Sequence, residues 1–119
     1  MPLPDITTLK PAPRHSALDQ SALTFAALGD ETRLRLVAVL CGGGAMSIAQ
    51  LTQGTDITRQ AVTKHLRVLA DAGLVRDTKL GRERLWVFEP TQLNDARHSL
   101  EVISQQWDQA LQGLKALDA

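Results

Sequence analysis

Apolar residues recur along this chain with two different periods, and the change from one to the other divides it into elements. Leu18, Ala22 and Phe25 fall at helical spacing, and Ser16 with Asp19 three residues on makes a capping-box pattern ahead of them. These predict a first helix from Ser16 to Leu28-Gly29. Asp30 is placed to cap a second helix, Glu31 to Cys41, which carries Leu34, Leu36, Val37 and Leu40 inward and stops at Gly42-Gly43-Gly44. Ser47 and Gln50 form another capping box, opening a short helix that buries Ile48 and Leu51 and closes at Gly54. After the turn Thr55-Asp56-Ile57, Thr58 caps a helix running to Ala72, where Gly73 can take the left-handed conformation that ends it.

Beyond Gly73 the period falls to two. Leu74–Lys79 and Arg84–Glu89 read as strands, with Leu85 and Val87 on one face and Trp86 and Phe88 on the other. Leu80-Gly81-Arg82-Glu83 is the hairpin tip. Pro90 stops the second strand, and Thr91 or Asn94 is positioned to cap a last helix ending at Leu117. Two short helices joined by a turn, then a β-hairpin, make a winged helix-turn-helix. The predicted fold is therefore mainly α with a small hairpin: about five helices plus a two-stranded wing. Residues 1–15 hold four of the five prolines and no apolar period, and read as a flexible arm. Residues 16–119 read as one domain.

On a helical projection from Arg59, Leu69, Val62 and Leu66 fall at about 280°, 300° and 340°, a narrow stripe for the core. Arg59, Thr63, Arg67, Gln60 and Lys64 fall between about 0° and 140°, and all can donate hydrogen bonds. A helix fits the major groove of duplex DNA, where such side chains read base edges. Arg59 suits guanine and Gln60 adenine, each bidentately, whereas Lys64 and Arg67 suit phosphates. His65, at about 240°, borders the buried stripe, where phosphate contact and hydrogen-bonded packing are both open readings. An ordinary solvated helix face has similar composition; the short capped helix before it and the basic hairpin after it favour the DNA reading. At the tip, Lys79, Arg82 and Arg84 suit the neighbouring backbone or minor groove, and also guard an edge against strand pairing. The candidate DNA-contacting set is thus Thr58, Arg59, Gln60, Thr63, Lys64, His65, Arg67, Lys79, Arg82 and Arg84.

Charge changes this picture only when localised. The 119-residue chain has a formal net charge of zero, which alone argues against nucleic acid. Between Thr58 and Arg84, however, seven basic residues face three acidic ones, a local net charge of +4. Screening confines the relevant field to about 10 Å, so a basic face on a neutral protein still attracts phosphate.

The last helix adds a second pattern. Leu93, Ala96, Leu100, Ile103, Trp107, Ala110, Leu114 and Leu117 step alternately by three and four, a heptad seam too long for so small a domain to bury. The expected partner is a second copy of the chain, met through the first and last helices, while part of the last helix packs on its own core with the first; Trp107 reads as a packing anchor rather than the wall of a ligand pocket. Paired recognition helices would meet successive major grooves about 34 Å apart on an inverted repeat.

The segments Phe25–Arg33 and Gln60–Leu69, then Ala72-Gly73-Leu74-Val75 and the hairpin Gly81-Arg82 with Leu85-Trp86, resemble the ArsR/SmtB family of bacterial repressors over about residues 18–117. The resemblance implies a homodimeric repressor that leaves its operator when a signal binds or reacts. The family's thiolate metal site needs a Cys-x-Cys pair, and the matching stretch Met46–Leu51 has no thiol. Of its other common metal site only His98 and Glu101 remain, with Asp95 one turn earlier. No metal and no cofactor are expected, and the effector is an unidentified small molecule or redox signal. Cys41, the single cysteine, cannot close an intrachain bridge and reads as a small core residue at a helix end.

Other functions fit less well. A winged domain that binds only proteins would need apolar anchors where this helix carries Arg, Gln, Thr and Lys. Catalysis lacks a constellation: His15, His65 and His98 fall on the arm, the recognition helix and the last helix. No apolar run approaches the ~20 residues that span a bilayer, and no secretory leader pattern opens the chain. One cysteine and a DNA partner point to the cytoplasm.

Overall fold

The computed structural model describes residues 13–118, with side-chain environments for 17–117. Predicted arm residues before Pro13 lie outside the described residues. The elements in order are α1 (Pro13–Leu28), α2 (Glu31–Gly43), α3 (Ile48–Gln53), α4 (Arg59–Asp71), β1 (Val75–Leu80), β2 (Glu83–Phe88) and α5 (Pro90–Asp118). This is the predicted winged helix-turn-helix.

Local chemistry sets most boundaries. The Asp30 carboxylate accepts from the Arg33 amide at 3.0 Å and starts α2. Ser47 and Gln50 form the reciprocal capping box of α3, and the Thr58 hydroxyl accepts from the Ala61 amide at 3.1 Å to start α4. α4 ends on Gly73, whose φ of +77° favours glycine, and Gln92 of α5 packs so closely there that a Cβ would come within 2.9 Å of it. Gly81 at φ +66° makes the two-residue loop between Leu80 and Glu83, which pair in the antiparallel ladder.

Two helices start elsewhere than predicted. α1 begins at Pro13, which puts Ser16 inside the helix rather than at its cap. α5 begins at Pro90 itself rather than behind a Thr91 or Asn94 cap. Proline suits a first helical position because its φ is preset and its missing N–H is not needed there.

The core joins α2, α4 and the wing. Leu36, Val37 and Leu40 meet Leu51, Val62, Leu66 and Leu69, and Leu74, Val75 and Trp86 close the cluster. Leu66 is fully buried, so Leu66→Ala is expected to cost about 2–5 kcal/mol in chemical denaturation. A loss below ~1 kcal/mol would place Leu66 outside the core. The wing is anchored by a short bridge, in which the Met46 amide donates to the Trp86 carbonyl and the Trp86 amide donates back.

Not every apolar residue at helical spacing faces the core, and Leu34 of α2, predicted inward, faces outward. α1 buries Ser21, Thr24 and Ala27, whereas Leu18, Ala22 and Phe25 are exposed. A 2.8 Å hydrogen bond between the hydroxyls of Ser21 and Ser99 of α5 lets this polar face be buried. On α2, Leu34 is exposed, and so is Cys41, which corrects its assignment as a core residue. On α5, Ala96 is fully buried within the protomer and Leu93 packs on the core, so these two begin the seam as intramolecular contacts.

Candidate nucleic-acid interface

Val62, Leu66 and Leu69 have no exposed surface and fix α4 by one stripe. Rotation about that stripe leaves Thr58, Arg59, Gln60, Thr63, Lys64 and Arg67 lining one continuous open surface. Arg59, Gln60, Lys64 and Arg67 are exposed. Among the described residues, Arg59, Lys64 and Arg67 have no ion-pair partner, so their charges are available to phosphate or base. The Thr63 hydroxyl donates to the Arg59 carbonyl at 2.8 Å, which leaves it chiefly an acceptor on this face. Asp71, at the far end of the helix, belongs to a different surface, a groove shared with Leu23 and Ala26 of α1.

The wing divides its charges more unevenly than a count of basic residues suggests. Arg76 pairs with Glu89, and Arg84 lies 3.2 Å from the Asp77 carboxylate. Lys79 and Arg82 have no ion-pair partner among the described residues and stand at the exposed tip. Arg84, grouped from sequence with the tip cations, is thus paired with a carboxylate diagonally across the ladder.

His65 takes the packed alternative. Its side chain is 24% exposed, and Nδ1 lies 3.9 Å from the Asp30 carboxylate and 3.5 Å from the Arg33 guanidinium. It therefore turns toward the α1–α2 corner, away from the donor face. Asp30 sits at the centre of that corner. The Arg33 amide hydrogen bond is the largest influence on its carboxyl and holds it below the usual carboxylate range; burial opposes this, and the Arg33 and His65 charges add to the lowering. The cap's stabilising contribution is accordingly complete above the ordinary carboxylate pKa and lost as pH falls through the lowered one.

Arg33 was given no role by spacing alone. Its Nε donates to the Ala27 carbonyl at 2.6 Å and an Nη donates to the Ala26 carbonyl at 3.4 Å. α1 has no basic residue in its last turn, so a neighbour supplies the cation that its terminal carbonyls favour. The only sequence signal was an arginine three residues after a capping aspartate.

A helix-turn-helix domain family, HTH_20, matches residues 28–78. An HTH-type transcriptional regulator of Mycobacterium tuberculosis, Rv2034, is 35% identical over 91 residues, 76% of this chain and 81% of that protein. An uncharacterised HTH-type transcriptional regulator of Bacillus subtilis, YuzN, is 40% identical over 70 residues, 54% of this chain and 76% of that one. An ArsR-like transcriptional regulator from Rhodococcus sp. RHA1 superposes with a TM-score of 0.78 at 35% identity, covering 86% of this chain and 95% of the other. The chain belongs to the ArsR/SmtB family. It is a DNA-binding transcriptional regulator.

Within that family the sensing residues are sparse. The stretch from Met46 to Leu51 supplies the bridge to the wing and the cap of α3, and it carries no thiol. His98 and Glu101 are exposed one turn apart on α5. Among the described residues of one protomer, no three metal-ligating side chains converge. No described helix is long and apolar enough to cross a membrane.

Proposed function

We propose that this ArsR/SmtB regulator is a homodimeric repressor, which reads an inverted-repeat operator with paired α4 helices and leaves it on a signal. The observation that carries the DNA-reading part is the unpaired donor surface of Arg59, Gln60, Lys64 and Arg67, opposite a fully buried stripe. Lys79 and Arg82 extend it with contacts that neutralise phosphate without reading sequence. The work is binding rather than catalysis, in keeping with relatives named as transcriptional regulators, and its place is the cytoplasm, where the DNA is.

Support for the dimer comes from apolar surface that one protomer leaves uncovered. α5 has 29 residues, about 44 Å of helix, and only its first part meets the core. Leu100, Ile103, Trp107, Leu114 and Leu117 are exposed beyond it, at 49%, 50%, 62%, 57% and 81%. Ala110 shares that exposed seam, and Leu18, Leu23 and Phe25 of α1 add to the uncovered surface. Contiguous apolar surface of this kind marks an interface.

Replacement of Lys79 and Arg82 by alanine tests the wing. With operator duplex, the double variant is expected to flatten the slope of log affinity against log salt by about two per protomer while sequence preference is kept. An unchanged slope would remove the wing from the interface, and absence of any salt-dependent binding by the unaltered protein would overturn the functional reading itself.

A further inference from the structure

We infer that Arg33 and His65 are positioning residues for operator recognition, a polar tie that fixes the back of the recognition helix to the end of α1. The inference rests on the reading of α4 as the DNA-reading helix. His65 stands about 170° around α4 from the middle of the donor arc, so it holds the helix from the side opposite the one offered to DNA. Arg33 belongs to α2 but reaches two other helices at once: the Ala26 and Ala27 carbonyls that end α1, at 3.4 and 2.6 Å, and His65 Nδ1 of α4, at 3.5 Å.

Apolar packing of α1 in the core is confined to Ala27 and Leu28 at its C-terminal end. Between α1 and α4 the structure has an open groove of about 400 Å³, bordered by Leu23, Ala26, Val68, Asp71 and Ala72, with Arg33 along it. Leu23 and Val68 are 58% and 42% exposed, so the two helices are not locked by side-chain interdigitation along this seam. The Arg33 fork is the directional contact that crosses it. Its planar guanidinium has enough donors to hold both carbonyls and still meet the imidazole, which a lysine ammonium cannot do in the same geometry. With the proton on Nε2, His65 accepts from Arg33 through Nδ1, and the Asp30 carboxylate stands 3.9 Å from the same nitrogen, close but outside hydrogen-bond distance. That contact ties α4 to the corner through Arg33. Because α1 also carries exposed apolar side chains, the tie links the surface proposed for dimerisation to the helix proposed to read DNA.

The test uses the full chain and a labelled duplex of about 30 base pairs, cut from genomic fragments that the purified protein itself retains. Operator affinity is measured for the unaltered protein, Arg33→Ala, His65→Ala, the double variant, Arg33→Lys and His65→Asn, over a range of salt and with dimer mass and thermal midpoint recorded. The expected result is a loss of about tenfold for each single alanine variant, no further loss in the double variant, and an unchanged salt slope. His65→Asn, which restores an acceptor near the Nδ1 position, should recover most of the affinity, while Arg33→Lys should not. Additive losses, a slope lowered by about one per residue, or full affinity in the folded alanine variants would each overturn the tie. If Arg33→Ala does not fold, His65→Ala against His65→Asn decides alone. Failure of the unaltered protein to retain any duplex would sink the DNA reading; retention with indifferent variants sinks only this inference.

Discussion

With Arg59 and Gln60 both replaced by alanine, the protein is expected to bind its operator no better than a scrambled duplex of the same length. Each bidentate base contact contributes about 1–3 kcal/mol of discrimination, so losing two lowers the operator-to-scrambled ratio by between roughly thirtyfold and twenty-thousandfold for each half-site. Both side chains are exposed and neither belongs to the core, so the dimer mass and thermal midpoint should stay near those of the unaltered protein. Residual binding should remain steeply salt-dependent, because Lys64, Arg67, Lys79 and Arg82 still supply cations. Fluorescence anisotropy with the two duplexes reads the ratio directly. A ratio that survives the double substitution would move sequence recognition off the first turn of α4.

The second large effect is expected at the seam. Ile103→Asp with Trp107→Asp places two carboxylates in the middle of an apolar surface that is already open on the protomer, at 50% and 62% exposure. The protomer should fold unchanged, since neither side chain joins the core cluster. Light scattering should give the protomer mass of 13.0 kDa rather than twice that value. Operator affinity should then fall by at least about a hundredfold, because the second half-site no longer meets a tethered recognition helix. A variant that keeps the doubled mass would place the interface elsewhere.

How much was legible in the sequence follows from where the signals were local. Capping residues speak to amides three positions away, so Asp30, Ser47 and Thr58 announced their helices without any tertiary information. Gly73 and Gly81 announced their turns for the same reason. α4 was readable down to its faces because its apolar residues form one stripe and nearly everything else is polar. α1 was not. It carries apolar residues on a face that its own protomer leaves open, and it buries hydroxyls against α5, where Ser21 and Ser99 satisfy each other across 78 positions of sequence. Periodicity finds apolar stripes but does not say whether a stripe meets its own core or a partner's. The same ambiguity explains why Leu93 and Ala96 were assigned to the seam when the protomer itself covers them. On the site, the donor arc followed from helical geometry, whereas the pairing of Arg84 with Asp77 and of Arg76 with Glu89 required the strand register. Arg33 was silent because its three partners lie on two other helices.

The bridge between Met46 and Trp86 has a mechanical meaning. It clamps the second strand of the hairpin to the segment that opens α3, four residues short of Arg82. Past that fulcrum about 13 Å of two-stranded ribbon projects, with no third strand among the described residues, and ends in Leu80 beside Lys79 and Arg82, which have no ion-pair partner among those residues. A ribbon held at its root and loose at its end behaves as a lever whose tip sweeps an arc. On the proposed reading, Lys79 and Arg82 would follow a phosphate through local changes in groove width, while the helix proposed to read bases is held by the core. Amides of Met46 and Trp86 should accordingly exchange with solvent far more slowly than those at the tip, and protein-to-DNA contact at the wing should tolerate sequence changes that α4 rejects.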